Sequence, residues 1–584
     1  MRTTTPAEVV ERELAELAPD LVDGFRAALP AAADVVGRRL RGALHREGLR
    51  RDPGYGRRHA FGRTEFADAP ADPAALLDGD APGLAAEITD AVVNLAVALT
   101  RRTREDRAVR EAAAVWTDVL GAGLGSGHGS GHGSGHGGGH GGGLGSVTYS
   151  RFLRPDERVL FLERLATEGH NLHPCGRTRL GWRTGDLLAH DLESAGTEVG
   201  FVAVRADVHT GDDVGALLRA AYPGQVPQNP PGYVVQPVHA WQLDRLPERY
   251  DRALVRRLDA VSLPAAPTAA LRTLLLPPGE DDVRRYLKLS LDIQVTSTRR
   301  TISVASTRNG PAISALLHRL VDRLVTGDRL LLMAEEAGAA LDVGPGADRD
   351  AAAIVRLGLG DRLDPGEAPV PAVALPARCP LTGRPVLAEL VDAYAASTGT
   401  AGADAAAGFL DDYAALLLPP VLDLATRYGV GLEAHLQNCV PTFRRGVPHR
   451  MALRDFAGLR LHLPRLRARG AEPGLWPGSV IATDDVDALR AKVAYTALQA
   501  HLGELVVVLT GTHGLDEAAA WRRVRVLVDE VYAGLAADPA VAGAARADHA
   551  FLTAPTVPHK ALVRMRLSAG VGDAYVAVEN PLHG

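Results

Sequence analysis

The sequence contains few cysteines and no long apolar run. Three cysteines occur in 584 residues, far apart in the chain: Cys175, Cys379 and Cys439. This excludes a disulfide framework and any C-x-x-C metal or redox motif, and it is typical of a protein from a reducing cytoplasm. The most apolar stretch, residues 91–99, is shorter than the ~18–20 residues of a membrane span. We therefore expect a cytoplasmic protein with no membrane partner.

The chain also lacks an excess of positive charge. It has 64 basic and 70 acidic residues, for a formal net charge of −6, and no long basic run. Proteins that bind polyanions carry a basic patch or stripe, so this composition argues against nucleic acid as a partner. Apolar residues make up 46% and charged residues 23%, as in folded globular proteins, and the length predicts about three or four structural units.

Changes in composition and in the spacing of apolar residues divide the chain into four parts. The first has helical spacing of apolar residues, and Thr5, Pro6 and Glu8 fit the N-cap, N1 and N3 positions of its first helix. A Gly/His-rich flexible insertion, a part with mixed strand and helix patterns, and a part with long helical patterns around short strands follow. We predict an α+β multidomain fold, helix-rich at both ends around mixed sheets, with the parts at residues 1–120, 121–146, 147–378 and 379–584.

The insertion repeats histidine every four residues. His128, His132, His136 and His140 could chelate a divalent metal ion, since histidine is a common ligand for such ions. Glycine on both sides of each histidine removes any preorganised geometry. We therefore favour a linker over a metal site.

The first motif with chemical content is the segment 168–182, with two histidines, two arginines and three glycines in fifteen residues. This composition predicts a loop, and such a loop can bring cationic and hydrogen-bonding groups close to a phosphate. The alternative is an ordinary surface loop with a capping histidine.

The second motif, residues 287–296, alternates strictly between apolar and polar side chains. It predicts one strand whose polar face carries Lys288 near one end and Thr296 and, beyond it, Arg300 near the other. Such a face suits an extended anion, for example a nucleotide triphosphate next to a carboxylate. The alternative is the solvated face of an edge strand.

The third motif, residues 432–439, predicts a helix with an apolar stripe bordered by polar side chains. A strand should follow at residues 451–456, in which Asp455 has the parity of core positions. A buried acid needs a partner, and a Mg²⁺ ion shared with Glu433 would be one. The alternative is a salt bridge to a neighbouring arginine.

Together, the G-H-x-x-H-P loop, the K-L-S-L strand that ends in T-S-x-x-R, and the E-A-H-x-Q-N segment followed by R-D-F resemble the IucA/IucC family of NRPS-independent siderophore (NIS) synthetases. The resemblance covers about residues 147–465, and the C-terminal part is similar to the palm region that this family shares with FhuF-like proteins. It implies a cupped-hand architecture with a thumb, fingers and a palm, at residues 1–120, 147–378 and 379–584.

The resemblance also implies an activity and a set of roles. An ATP-dependent synthetase would adenylate a carboxylate, typically of citrate, and condense it with an amine or hydroxyl, releasing AMP and pyrophosphate; the family suggests a homodimer. The implied catalytic residues are His170, Arg300 and His435; the implied ATP-binding residues are His170, Arg272, Lys288, Arg300 and Asn438. The substrate carboxylate would meet Thr296, Arg300, His435, Gln437 and Asn438, and Mg²⁺ would bind Glu433 and Asp455.

The sequence departs from the family pattern at several positions. Asn171 stands where the family has a proline, Ala270 where it often has a serine, and Arg177 where it has a lysine, which keeps the positive charge. No cysteine follows Cys439, so the four thiolates of an FhuF-like iron–sulfur site cannot form in this region and iron reduction is excluded. Two other functions stay open: another carboxylate ligase or phosphotransferase that uses the same basic pocket, and an inactive metal-handling accessory protein.

Overall fold

The structure is a computed structural model that describes residues 4–50, 56–77, 81–111, 154–344, 349–568 and 573–584. The predicted Gly/His-rich insertion, residues 121–146, lies outside the described residues. The helices are Pro6–Leu17, Val22–Arg46, Pro82–Glu111, Pro155–Glu163, Thr184–His190, Val214–Ala221, Ala240–Leu243, Leu246–Arg249, Val304–Val321, Val386–Thr398, Gly402–Tyr428, Leu463–Ala468, Val486–Val493, Gly503–His513, Glu517–Ala536, Ala542–Leu552 and Arg564–Leu567, with a π-helical stretch at Ala494–Leu502.

The first helix is capped as the sequence predicts. The Thr5 hydroxyl accepts a hydrogen bond from the Glu8 amide at 3.3 Å, and the Glu8 carboxylate accepts one from the Thr5 amide at 2.7 Å. Pro6 takes the first helical position, where its missing N–H costs nothing. The capping box therefore satisfies two backbone donors that the start of a helix would otherwise leave unpaired.

The central feature of the middle region is an eight-stranded, antiparallel sheet. Its strands lie in the order His209–Gly211, Glu335–Leu341, Ala353–Leu357, Arg285–Leu289, Thr273–Leu275, Val255–Pro267, Thr197–Arg205 and Tyr233–His239. A four-stranded sheet contains Leu330–Leu332, Val447–Leu453, Cys439–Arg444 and Ala368–Pro369, and a three-stranded sheet contains Val430–Gly431, Arg460–His462 and Ala482–Thr483. The hairpins pair Gly56–Arg58 with Thr64–Phe66, Leu291–Val295 with Thr298–Arg300, and Thr556–Lys560 with Tyr575–Glu579.

The largest apolar core lies in the C-terminal region. Helix Gly402–Tyr428 packs between the four-stranded sheet and helix Glu517–Ala536. The Phe409 ring lies 6.0 Å from the rings of both Tyr413 and Phe443, and all three side chains are fully buried. This packing gives a rigid base to the segment that follows the helix, which is the third sequence motif.

Three helices are long and apolar enough to cross a membrane by length and composition, so the expectation that no segment approaches a span is wrong. Their mean hydropathies are 1.4, 1.3 and 1.3, and between 61% and 83% of each apolar window is buried inside the protein. Packing against neighbouring helices and sheets therefore accounts for their apolar composition. These helices are Pro82–Asp106, Gly402–Tyr428 and Val486–His513.

Ion pairs dock the N-terminal hairpin onto the C-terminal helices. His59 Nδ1 lies 2.7 Å from a Glu517 carboxylate oxygen, whose other oxygen accepts the Ala60 amide at 2.7 Å. Arg63 pairs with the buried Glu504 at 2.6 Å. Burial lowers the pKa of His59, but the carboxylates of Glu517 and Glu65 raise it by more, so that the pKa is about 9. Charged groups far apart in sequence thus hold the two ends of the chain together.

We expect the docking of this hairpin to weaken at high pH. Because the pKa of His59 is raised to about 9 from about 6.5 in the unfolded chain, its ion pairs stabilise the fold fully below about pH 6.5 and are lost as the pH rises through 9. The wild type should therefore be more stable than His59→Gln at pH 6, by at most about 3 kcal/mol, and this difference should shrink toward about pH 10. Denaturant midpoints measured for both variants would test this. A difference that stays constant with pH, or the same trend in the exposed control His318→Gln, would contradict it.

Candidate functional site

The first motif forms the predicted loop, and its two histidines present neutral donors. His170 Nδ1 accepts hydrogen bonds from the amides of Leu172 at 3.1 Å and His173 at 3.2 Å, and His173 Nδ1 accepts one from the Cys175 amide at 3.0 Å. The ring proton of each must therefore lie on Nε2. Burial and nearby cations lower the pKa of His170 far below its usual value and that of His173 to about 3. The buried Nε2 of His173 has no partner among the described residues.

The second motif is two strands instead of the predicted single one. Arg285–Leu289 is an interior strand of the large sheet, whereas Leu291–Val295 forms a separate hairpin. The break falls at Ser290, whose buried hydroxyl donates to a carbonyl at 2.6 Å and accepts two amides at 3.2 Å. The alternative of a solvated edge strand is also wrong, because the Lys288 side chain is only 4% exposed.

Two arginines of the site have no anionic partner. Arg300 donates to the Thr296 hydroxyl at 2.9 Å and to the Val295 carbonyl at 3.2 Å, and Arg272 donates to the carbonyls of Arg300 and Thr301 at 3.0 and 3.1 Å. Within the described ranges, neither guanidinium has a carboxylate within 4 Å. Burial, with Arg272 next, lowers the pKa of Arg300 to about 10. An anion bound here would offset the free-energy cost of burying these two positive charges.

The third motif is a turn and not the predicted helix. Helix Gly402–Tyr428 ends at Gly429, whose φ of +70° is left-handed, and residues 432–438 then connect two strands. A carbonyl of the turn accepts hydrogen bonds from a side chain instead of from a helical amide. Arg454 donates twice to the Gln437 carbonyl, at 2.8 and 3.0 Å. The helix-like spacing of apolar residues reflects burial in the core, and it involves Leu432, Leu436 and Cys439.

Buried side chains anchor this turn. His501 Nδ1 donates to the Ala434 carbonyl at 3.0 Å, so its Nε2 accepts the Tyr413 hydroxyl at 2.8 Å. The Asn438 amide group donates to the Glu433 carbonyl at 3.1 Å. The backbone of the turn is thereby fixed by helices on either side, while its other predicted site residues, His435 and Gln437, stay half-buried.

Each predicted metal ligand faces a lysine. Lys492 Nζ lies 2.9 Å from a Glu433 oxygen, and Lys288 Nζ lies 2.5 Å from an Asp455 oxygen. Asp455 follows the strand instead of belonging to it, with a left-handed φ of +64°. Its partner is a lysine and not the arginine of the alternative prediction. A Cβ at Gly458 would lie 1.7 Å from Glu433 Oε2, so only glycine allows this carboxylate its place.

The chemistry of these two carboxylates fits a divalent cation. Burial opposes their ionisation, but Lys288 holds the pKa of Asp455 far below its usual value, and Lys492 and His435 lower that of Glu433. Ionised carboxylate oxygens are the ligands that Mg²⁺ prefers. The shared Mg²⁺ site stays a prediction, in which a metal ion would take over the charge that the lysines balance here.

The three motifs meet in one site. Alongside burial, His435 contributes to the low pKa of His170, and Arg300 contributes to that of His173. The carboxylates of Asp455 and Glu433 raise the pKa of Arg300, against the lowering by burial. Arg177 is not part of this site, because it is buried in ion pairs with Asp191 and Glu193, both at 3.0 Å. Its charge is thus neutralised inside the protein instead of facing a phosphate.

Sequence reasoning missed two lysines of this site. Of the 64 basic residues only three are lysines, and all three lie here: Lys288, Lys492 and Lys560. Lys560, on the C-terminal hairpin, pairs with Asp573 at 2.8 Å and contributes to the low pKa of Glu433 and of the loop histidines. The scarcity of lysine was a usable signal, because a chain that uses arginine elsewhere keeps lysine where a compact ammonium is needed.

Comparison with known proteins shows which families parts of the chain are similar to. The IucA / IucC family model matches residues 158–377, and the model described as "Ferric iron reductase FhuF-like transporter" matches residues 408–573. The chain is therefore similar to the IucA / IucC family over residues 158–377. The D-ornithine–citrate ligase of Staphylococcus aureus is 24% identical to this chain, in an alignment that covers 73% of the chain and 70% of the ligase. Alignments with other curated relatives cover as little as about half of their own length, for example 50% and 57%.

Solved structures of siderophore biosynthesis proteins share the fold of this chain. The petrobactin biosynthesis protein AsbB of Bacillus anthracis matches 99% of this chain and 98% of its own with a TM-score of 0.72 at 19% identity. The ATP-bound aerobactin synthetase IucA of Klebsiella pneumoniae matches 94% of this chain and 99% of its own with a TM-score of 0.65 at 18% identity. The predicted α+β multidomain fold of NIS synthetases is confirmed, while the thumb, fingers and palm boundaries stay predictions.

We expect Ser290→Ala to loosen the hairpin that carries Arg300. The hydroxyl binds the Arg349 carbonyl and the amides of Ile302 and Ala352. Without it, the Ile302 amide keeps its 3.3 Å bond to the Arg349 carbonyl, but the buried Ala352 amide loses its partner, at a cost of about 1–3 kcal/mol. Hydrogen exchange at Ala352 should accelerate. Ser297→Ala, in the turn of the same hairpin, is the control and should leave the Ala352 amide protected. Unchanged exchange in Ser290→Ala would contradict this role.

Proposed function

We propose that this protein is an ATP-dependent siderophore synthetase. It adenylates a carboxylate of citrate, or of a citrate or succinate derivative, and condenses the acyl group with an amine or hydroxyl, releasing AMP and pyrophosphate. The observation that carries the proposal is the pair of half-buried arginines, Arg300 and Arg272, neither of which has a carboxylate within 4 Å in the described part of the chain. Two ionised carboxylates, Glu433 and Asp455, contribute to the same electrostatic environment. The match to the IucA / IucC family over residues 158–377 and the similarity to a D-ornithine–citrate ligase support the substrate class.

The proposed roles follow the residues of the three motifs. ATP is bound by His170, Arg272, Lys288, Arg300 and Asn438, and the substrate carboxylate by Thr296, Arg300, His435, Gln437 and Asn438. The residues closest to the chemistry are His170, Arg300 and His435. Glu433 and Asp455 would hold Mg²⁺, which supplies positive charge to the phosphate oxygens when bound.

The first step brings two anions together, since a carboxylate oxygen attacks the α-phosphorus and pyrophosphate leaves. Arg300 and Lys288 lower this barrier, because preorganised cations stabilise the charge that builds up in the transition state. The neutral Nε2–H of His170 adds a hydrogen-bond donor without a further charge.

In the second step, a neutral amine attacks the acyl adenylate, and AMP leaves as the tetrahedral oxyanion collapses. Arg300 or His435 donates to that oxyanion. No covalent enzyme intermediate is needed. Cys439, beside the third motif, is fully buried, and burial raises the pKa of its thiol far above its usual value, which suits packing instead of nucleophilic attack.

The cysteines bear on where the protein works in the cell. We expect it in the cytoplasm, where its three free, buried cysteines stay reduced, and as a homodimer with small-molecule substrates. The FhuF-like match does not extend to iron reduction, because this part of the chain supplies no cysteine after Cys439. A phosphotransferase or other ligase using the same pocket would release ADP instead of AMP, or act on a different acid.

Carboxylate-dependent AMP formation, with hydroxylamine as the trapping nucleophile, tests the proposal. We expect AMP and a hydroxamate with citrate or a mono-amidated citrate, and Arg300→Ala should lose at least about tenfold of this rate, since it removes a charge from a buried anion site. Arg299→Ala is the matched control, because the adjacent Arg299 is exposed and pairs with Asp292; it should keep the rate. ADP as the only nucleotide product, or near-normal turnover in Arg300→Ala, would overturn the proposal.

Gly458→Ala tests the proposed metal ligand. The new methyl group would collide with Glu433 Oε2, so this carboxylate must turn away from its place. We expect AMP formation to fall about tenfold or more and half-maximal activity to need a higher Mg²⁺ concentration. Gly534→Ala, at a helical glycine with nothing within 4 Å of the added carbon, should behave as the wild type. An unchanged Mg²⁺ dependence in Gly458→Ala would argue against Glu433 as a ligand.

A further inference from the structure

A cavity of about 790 Å³ lies outside the proposed site. Helices Val22–Arg46 and Pro82–Glu111 form one side of it, and residues 165–172 with helix Gly503–His513 form the other. Its volume is in the range of pockets that hold small molecules. None of the residues assigned above to ATP, carboxylate or metal binding lines it.

The cavity and the proposed site share a wall. Gly169 and Asn171 line the cavity, while His170 between them belongs to the site; His559 lines the cavity, and the next residue is Lys560. The Asn171 amide also donates to Glu504, another lining residue, at 2.8 Å. Alternate residues of one loop and one strand therefore face two separate compartments.

Arginines dominate the charged lining. Of seven, four are ion-paired with carboxylates: Arg38 with Asp34, Arg39 with Glu168, Arg63 with Glu504 and Glu65, and Arg102 with Glu105 and Asp106. The other three have no carboxylate within 4 Å in the described ranges, and they are Arg46, Arg57 and Arg378. The cavity thus carries cations that the protein itself does not neutralise.

Arg46 is the deepest of these cations. It donates through one terminal nitrogen to His559 Nε2 at 2.9 Å, and its buried Nε has no partner in the part of the chain that the structure describes. Burial, with Arg63 next, lowers the pKa of Arg46 to about 10, although the lining carboxylates of Glu47 and Glu504 act in the opposite direction. Arg57 and Arg378 are exposed and so lie where the cavity meets solvent.

We propose that this cavity is a second anion site, which binds a small polycarboxylate with one carboxylate on Arg46 and another toward Arg57 and Arg378. A guanidinium matches a carboxylate with two parallel hydrogen bonds. Carboxylate fits better than phosphate, because a single deep cation balances one negative charge and the remaining wall is partly apolar, with Val35, Leu99 and Val508. The inference rests on these charges and not on the proposed reaction.

Citrate binding to the full-length Arg300→Ala protein, measured by calorimetry, tests the site separately from catalysis. We expect one citrate to bind, and acetate and inorganic phosphate to bind at least about tenfold more weakly. Adding Arg46→Gln should weaken citrate binding at least about tenfold, because a buried charge partner is lost. Adding Arg38→Gln, on the same helix and in the same cavity but already paired with Asp34, should change it by less than about twofold.

A second variant tests the cavity without removing a charge, in case the Arg46→Gln protein does not fold. Val508→Phe keeps every charge and fills part of the cavity, so it should also weaken citrate binding at least about tenfold. No measurable citrate binding to the Arg300→Ala protein, citrate affinity in both added variants equal to that of the Arg300→Ala protein, or phosphate binding as tight as citrate would each overturn the inference. Since AMP formation is measured in a different experiment, failure of this site and failure of the proposed function are distinguishable.

Discussion

Compensation of buried positive charge is the constraint on which this structure depends. Lys288 and Lys492 each sit against a carboxylate at 2.5 and 2.9 Å, and the Arg63–Glu504 pair joins the two ends of the chain at 2.6 Å. At Arg300 and Arg272 the compensation is weaker: no described carboxylate lies within 4 Å of either guanidinium, and only more distant carboxylates such as Asp455 oppose the cost of burial. The same logic distinguishes a structural ion pair such as Arg177–Asp191 from a binding group.

Motif positions could be predicted from the sequence better than the elements that carry them. The alternation at 287–296 correctly indicates strand, yet the hydroxyl of Ser290 breaks it, because three backbone partners from distant segments meet there. The helical spacing at 432–439 is misleading: the apolar residues are buried, but Arg454 and His501 take carbonyls that a helix would need. Such partners come from far along the chain, so local periodicity does not reveal them. The capping box at Thr5 was predictable because all its atoms lie within one turn.

The FhuF-like region, residues 408–573, contains four of the charged side chains around the predicted site. It supplies Glu433, Asp455, Lys492 and Lys560 from a turn, a strand end, a helix and a hairpin, and no thiolate ligands beyond Cys439. The scaffold that carries these side chains is set by a buried core around Phe409 and Tyr413, and neither of these residues belongs to the predicted site.

The placement of the three lysines has a consequence under the proposed reaction. Acyl adenylates acylate free amines, so a lysine-rich surface would be a target for any intermediate that escapes. Here arginine, which is not acylated under such conditions, replaces lysine everywhere else in the chain, and Lys288, Lys492 and Lys560 each pair with a carboxylate. In the proposed enzyme, few side-chain amines would therefore compete with the amine substrate for the activated acyl group.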